Sequence, residues 1–209
     1  MLSISDLREN YSKYELLEEN LTKNPIELFD TWFKFALETE VLEPNAMTLS
    51  TVSLERKPRS RVVLLKDYSN KGFSFYTNYQ SDKGREIELN NNVSLNFYWS
   101  KIERQVRIEG KAIKLSFEEN DNYFNSRPMG SKIGAIISRQ SRPVNSRDEI
   151  LKRFEEYDLS QMPERPKNWG GFIIKPILIE FWQGRPNRLH DRIKYIFKDN
   201  RWSYQRLEP

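Results

Sequence analysis

Apolar residues recur at helical spacing in a few stretches of this chain and alternate with polar ones through much of the rest. The first helical signal follows Asn24-Pro25-Ile26-Glu27, which reads as an N-cap, a first-position proline and a third-position acid. Leu28, Phe29, Trp32, Phe33, Ala36 and Leu37 then fall on one face and predict a helix turned to a core. From Ala46 the period drops to two, with Met47, Leu49 and Thr51 as the inward set of a strand. Arg61 to Lys66 is an aliphatic run that predicts a second, buried strand. Ser69-Asn70-Lys71-Gly72 is a turn leading into a third at 72–77. A short helix is predicted over 81–90. Val93, Leu95, Phe97 and Trp99, then Val106, Ile108 and Ala112, alternate as strands. Capping boxes at Ser116-Phe-Glu-Glu119 and Ser146-Arg-Asp-Glu149 open helices that end near Ser126 and Tyr157. Strands return at 170–183, 188–198 and 202–207, the last two joined by a tight turn at Asp199-Asn200. Six or more strands with hairpin-length links and few helices define an α+β chain centred on an antiparallel barrel or strongly curled sheet.

Composition narrows the chemistry. The 209 residues are 37% hydrophobic and 13% aromatic, enough for one domain with its own core. Residues 1–24 form a polar arm, and 25–209 are expected to be a single domain. With no cysteine and one histidine, His190, the chain offers no thiolate nucleophile, no cysteine-bound zinc or iron–sulfur cluster, and no multi-histidine metal site. Net charge is +4, but the 34 basic residues are interleaved with 30 acidic ones rather than gathered into a stripe. That pattern argues against nucleic acid as the partner. No apolar run is long enough to cross a bilayer, the first residues carry no secretory apolar core, and a cytoplasmic location is expected. Neither a Gly-rich dinucleotide fingerprint nor a Walker loop occurs.

Four clusters could carry chemistry. On a strand, Arg188, His190 and Arg192 share a face, so two guanidiniums flank the only imidazole and lower its pKa. The plainer alternative is an exposed polar face. Tyr123, Arg127 and Ser131 bring a phenol, a guanidinium and a hydroxyl to a helix end, a donor set suited to phosphate but also an ordinary terminus before a Pro-Gly turn. Gln80-Ser-Asp-Lys-Gly-Arg85 opens a helix whose free amides, with Lys83 and Arg85, favour an anion, although capping alone explains Ser81 and Asp82. Arg61 and Lys66 end a strand on opposite faces by parity, which suits different ligands unless a bulge intervenes.

Taken together, in order and spacing, these segments resemble the pyridoxine 5′-phosphate oxidase family. The likeness rests on Arg61-Val-Val-Leu-Leu-Lys66, Phe75-Tyr-Thr-Asn78, Glu103-Arg-Gln105, Tyr123-Phe-Asn-Ser-Arg-Pro128, Trp169-Gly-Gly-Phe172, Glu180-Phe-Trp-Gln-Gly184 and Arg188-Leu-His-Asp-Arg192. It runs from about Leu7 to Pro209. The resemblance implies a split β-barrel acting as a homodimer, with FMN in clefts between subunits. FMN contacts are then expected on Arg61, Val62, Val63, Leu64, Leu65, Lys66, Tyr76, Thr77, Lys83, Gln105, Gln140, Ser141, Trp182 and Arg192. The substrate phosphate falls to Lys66, Tyr123, Arg127 and Ser131, while Arg188, Leu189 and His190 lie over the substrate ring, Arg188 and His190 as the catalytic pair. Arg8 and Tyr11 match arm positions that close over the site. The implied reaction oxidises pyridoxamine or pyridoxine 5′-phosphate to pyridoxal 5′-phosphate and passes the electrons to O₂, giving hydrogen peroxide.

One departure stands out: where the family has Arg-Lys, this chain has Asp82-Lys83. A carboxylate repels a phosphate, so Asp82 is expected to face solvent while Lys83, with Arg85 as a second candidate, holds the FMN phosphate. Two other functions stay open from sequence: a split-barrel flavoprotein with a different substrate or a different flavin-like cofactor, and a non-catalytic module that carries flavin, pyridoxal phosphate or, through a basic patch, nucleic acid. A preparation refolded with excess FMN that stays colourless, or placement of Arg127 and Arg188 in unrelated pockets, would overturn the main reading.

Overall fold

A computed structural model describes residues 3–7, 9–160 and 162–209, so Arg8 lies outside the described residues. Among the described residues, five α-helices and nine strands are arranged as α1 (Pro25–Glu38), β1 (Ala46–Val52), β2 (Pro58–Leu64), β3 (Asp67–Ser69), β4 (Gly72–Asn78), α2 (Asp82–Leu89), β5 (Asn92–Trp99), β6 (Arg104–Lys114), α3 (Phe117–Ser126), α4 (Met129–Ile137), α5 (Arg147–Glu155), β7 (Trp169–Gln183), β8 (Asp191–Lys198) and β9 (Arg201–Leu207). The sheet is antiparallel and open, ordered β2-β1-β5-β6-β7-β4-β3, with β8 on β7 and β9 on β8.

The split in this barrel has a local cause. Along one edge β7 pairs with β6 from Phe172 to Gln183. Its other edge is shared: β4 takes Trp169 to Ile174 and β8 takes Leu178 to Gln183. Pro176, which has no N–H to donate, sits in the gap between those two partners. Opposite it the β6 register shifts between Glu109 and Gly110, and a Cβ at Gly110 would lie 2.3 Å from the Lys175 carbonyl oxygen. A proline that forgoes a ladder bond and a glycine that permits close approach thus divide one long strand between two neighbours.

Alternation sets the two faces. The cross-strand row Phe97, Val106, Phe181 and Ile193 is fully buried. The adjacent row Tyr98, Gln105, Trp182 and Arg192 points the other way and is partly open. Helix α1 covers the buried face with Leu28, Phe29, Trp32 and Ala36; the Phe29 ring meets those of Tyr68, Phe73 and Phe97 at 4.9–5.2 Å. Asn24 caps this helix through the Ile26 N–H, as its sequence predicts. Leu37 does not join the core and is 53% exposed. At about 100° per residue it has rotated roughly 80° away from Phe29.

Three further expectations change. Residues 61–66 are not one buried strand: β2 ends at Leu64, Val62 is 68% exposed, and Lys66 turns to donate its N–H to Ser74 O of β4. Residues 188–190 are not strand either, because a 3-10 turn with Asn187 and Arg188 at positive φ precedes β8. The facing of Arg188, His190 and Arg192 inferred from period two therefore fails. Helix α4 was not anticipated, since Pro128 and Gly130 mask the spacing of Ile133, Ile136 and Ile137. The Asp199-Asn200 hairpin forms with both residues at positive φ. Among the described residues no helix is long and apolar enough to cross a membrane.

Because Phe29 has no exposed surface and Leu37 is open, their truncations should separate. Phe29→Ala is expected to cost about 3–5 kcal/mol, and Leu37→Ala about 0.5 kcal/mol or less, measured as shifts of the urea midpoint at unchanged slope.

Candidate active site

Between β2, β4, the start of α2, the end of α3 and α4 lies a cavity of ≈ 830 Å³. Its wall carries four cationic side chains, Arg61, Lys66, Lys83 and Arg127, and no carboxylate. Of the residues expected to bind cofactor or substrate, it also brings together Val62, Val63, Leu64, Tyr76, Thr77, Tyr123, Ser131 and Gln140. The ending of β2 explains why Arg61 and Lys66 share this wall despite their parity. Leu65 is the exception in that run, buried in the core instead.

Arg61 and Lys83 are positioned by their surroundings. Glu86, buried on α2, accepts from Arg61 at 3.0 Å through one oxygen and from Arg59 at 3.1 Å through the other; Arg61 also bonds the Thr51 hydroxyl. Lys83 is buried behind the Ser81 cap, and burial together with the Arg61 charge lowers its pKa against the opposing pull of Asp82 and Glu86. Asp82 stays out of the wall, half exposed and 3.8 Å from Arg59. Arg85 is exposed and also outside the wall.

At the other end the α3 terminus is pinned from several sides. Ser116 and Glu119 form the expected capping box, Asn120 accepts from the Gly171 N–H at 2.7 Å, and Phe124 packs edge-on against Trp169. Tyr123 consequently stacks on Tyr76 with centroids 3.8 Å apart. Arg127 lies over the Trp169 ring at 4.6 Å. Its Nη1 is buried with no hydrogen-bond partner, and burial lowers its pKa. A buried guanidinium N–H without an acceptor is costly, and an anion in the cavity would relieve it. Gln140 reaches in from beyond α4 and accepts from the Thr77 hydroxyl at 3.0 Å; Ser141, next to it, is exposed and outside the wall.

The remaining predicted residues assemble elsewhere. Gln105, Trp182 and Arg192 form the outward row across β6, β7 and β8. Glu180, only 3% exposed, accepts from Arg192 at 2.8 Å and from Arg107 at 2.6 Å. Burial raises the Glu180 pKa, but the two guanidiniums prevail and hold it below the ordinary carboxylate range. Beside this row, Tyr11, Trp182 and His190 cluster with ring centroids 4.7–5.9 Å apart, and Tyr11, Arg188 and His190 line a second pocket. Leu189 is exposed nearby. Burial, then the charge of Arg188, lowers the His190 pKa, opposed by Asp191. Nδ1 of His190 accepts from the Arg185 N–H at 3.1 Å, so the neutral ring carries its proton on Nε2 and presents a donor.

Arg127 and Arg188 thus line separate pockets within one chain, the placement set out above as overturning the reading, which stands only if two chains share each site. The sequence reading also left out Trp169 and Ser138 of the first wall, and Glu86 and Glu180 behind the arginines. Trp169 lies in a quoted motif but reads equally well as core packing; Ser138 follows the masked helix α4.

The fold is that of the split-barrel flavin-binding class, and comparisons with known proteins narrow it further. Residues 33–161 match the family model for pyridoxamine 5′-phosphate oxidase, and 169–209 match the pyridoxine 5′-phosphate oxidase C-terminal dimerisation region. The chain belongs to the pyridoxamine 5′-phosphate oxidase family. Pyridoxine/pyridoxamine 5′-phosphate oxidases of Flavobacterium johnsoniae and Bordetella petrii are 52% and 50% identical to it, over 99% and 100% of both chains respectively. Among solved structures, PhzG from Burkholderia lata in complex with tetrahydrophenazine-1-carboxylic acid superposes with a TM-score of 0.90 at 29% identity, covering 95% of this chain and 100% of that one. A pyridoxamine 5′-phosphate oxidase-related, FMN-binding protein from Nostoc punctiforme shares the fold, with a TM-score of 0.75 at 15% identity over 90% of this chain and 100% of that one.

The unpartnered Arg127 provides a direct test. Arg127→Lys keeps the charge but loses the planar stack and fork, and is expected to weaken inorganic phosphate binding about tenfold. Arg85→Ala should leave that affinity within about twofold, as for a surface change away from the site. Quenching of tryptophan fluorescence during phosphate titration reads both.

Proposed function

We propose that the protein is a homodimeric, FMN-dependent oxidase that converts pyridoxamine or pyridoxine 5′-phosphate to pyridoxal 5′-phosphate, reducing O₂ to hydrogen peroxide. The observation that carries this reading is a cavity walled by four cations and no acid, with one guanidinium N–H buried and unpaired. Such a wall suits two phosphorylated aromatic molecules held together, and the donor set fits FMN: Arg61 and Lys83 for its phosphate, Thr77 and Gln140 for polar ring atoms. Tyr123, Arg127, Ser131 and Lys66 would take the substrate phosphate.

The second pocket completes the site only if another copy of the chain supplies it, because the two clusters do not meet within one chain. Strand β2 favours such a partner: it forms one wall of the cavity yet leaves Val62 exposed at a sheet edge. In the dimer, Gln105, Trp182 and Arg192 of one copy would face the FMN held by the other, and Arg188 and His190 would lie over the substrate ring.

Bound FMN supplies the two-electron acceptor that no side chain provides. The chain's own residues fix register and charge. The phosphate grip holds the substrate's CH₂–OH or CH₂–NH₃⁺ carbon in one place. Arg188, a poor base at neutral pH, orients the ring and stabilises developing negative charge. His190 acts as a hydrogen-bond donor through Nε2, since its Nδ1 is occupied by the Arg185 N–H. With the amine substrate, water enters and ammonia leaves.

Protein reconstituted with FMN is expected to be yellow and to bleach anaerobically when pyridoxine 5′-phosphate is added, with the aldehyde's absorption appearing in its place. A colourless preparation, or a yellow one that bleaches only with an aromatic carboxylic acid of the kind bound to PhzG, contradicts this reading. Arg188→Ala should lower turnover by about a hundredfold or more, as for loss of a transition-state contact, while FMN stays bound.

A further inference from the structure

We propose that Glu103 is a positioning residue, which straps the amino-terminal arm across the His190 pocket and so fixes Tyr11 as its wall. The inference rests on the function proposed above only for the meaning of that pocket. Glu103 occupies the turn between β5 and β6 in the left-handed region, φ 57°, and its side chain is 7% exposed. One carboxylate oxygen accepts the N–H groups of both Ser12 and Lys13, each at 3.0 Å. Its main-chain oxygen accepts from the Gly184 N–H at 2.8 Å and from the Gln183 side-chain amide at 3.1 Å. A single residue therefore grips the arm with its carboxylate and the end of β7 with its carbonyl.

What lies between those grips is Tyr11 on Gly184. A Cβ at Gly184 would fall 2.7–2.9 Å from atoms of Tyr11, so the phenol side chain rests directly on bare backbone. Trp182 meets it edge-on and His190 lies 5.9 Å away. Beyond the strap the arm is fastened again, with Leu16 N–H donating to Asp191 at 3.1 Å and Arg206 to Leu16 O at 2.9 Å. Before it, Ile4 and Leu7 are exposed. The segment 11–16 is thus a fixed wall.

The test combines proteolysis with kinetics on the FMN-loaded protein. Removing a charge-assisted acceptor shared by two N–H groups is expected to speed tryptic cleavage after Lys13 about tenfold in Glu103→Ala. Glu103→Gln keeps a neutral oxygen and should show about threefold, which also decides the matter if the alanine variant does not fold. KM for pyridoxine 5′-phosphate should rise with the cleavage rate while kcat and FMN affinity stay within about twofold. In a Tyr11→Ala background the Glu103 substitutions should raise KM no further, because their effect passes through Tyr11. Unchanged cleavage after Lys13, or a KM penalty that multiplies in the Tyr11→Ala background, overturns the proposal. A wild-type protein inert toward pyridoxine 5′-phosphate would defeat the functional reading and leave the cleavage comparison to judge the strap.

Discussion

The site depends on arginines held in place by buried carboxylates. Glu86 gives one oxygen to Arg59 and the other to Arg61; Glu180 does the same for Arg107 and Arg192. An arginine left to itself samples many rotamers and binds an anion only after losing that freedom. A buried carboxylate removes the freedom in advance, and a second guanidinium on its other oxygen compensates its own burial. Both predicted half-sites therefore contain an arginine, Arg61 or Arg192, oriented before any ligand arrives. Arg127 is different: among the described residues it pairs with no acid and lies over the Trp169 and Phe124 rings, and its spare N–H is the most direct sign that the cavity suits an anion.

The same economy explains how the fold presents these groups. The Gly110–Pro176 irregularity lets β7 serve β4 with its first half and β8 with its second. One half carries Trp169 and Gly171, which lies behind Tyr76; the other carries Glu180 and Trp182. A single strand thus supports both pockets at opposite ends, and within this chain the two stay separate. That separation is what the proposed dimer would bridge.

Much of this was legible in the sequence where local physics decides the outcome. Asn24-Pro25, Ser81 and Ser116–Glu119 start helices where their capping chemistry predicts, and strict alternation gives the buried row through Phe97 and Val106. Legibility ended where tertiary contacts override local period. Arg61–Lys66 reads as one strand, but the chain leaves β2 after Leu64 to bond β4; Arg188–His190 reads as strand, but positive φ at Asn187 and Arg188 turns the backbone. Helix α4 was hidden because Pro128 and Gly130 argue for a turn while Ile133, Ile136 and Ile137 argue for a helix, and packing settles the choice. The carboxylates behind the arginines were unreadable, since nothing in spacing says that Glu86 will reach Arg61 across 25 residues.

The central claim is that each working site takes its phosphate grip from one copy and its Arg188–His190 pair from another. Hybrid dimers test it most directly, using Arg127→Ala and Arg188→Ala chains, each inactive alone, co-expressed in equal amounts. If sites are shared, the mixed dimer holds one doubly altered and one intact site, and the preparation should recover about a quarter of wild-type activity. If every site is built within one chain, no intact site can form, and activity no greater than that of the two separate variants would contradict the account.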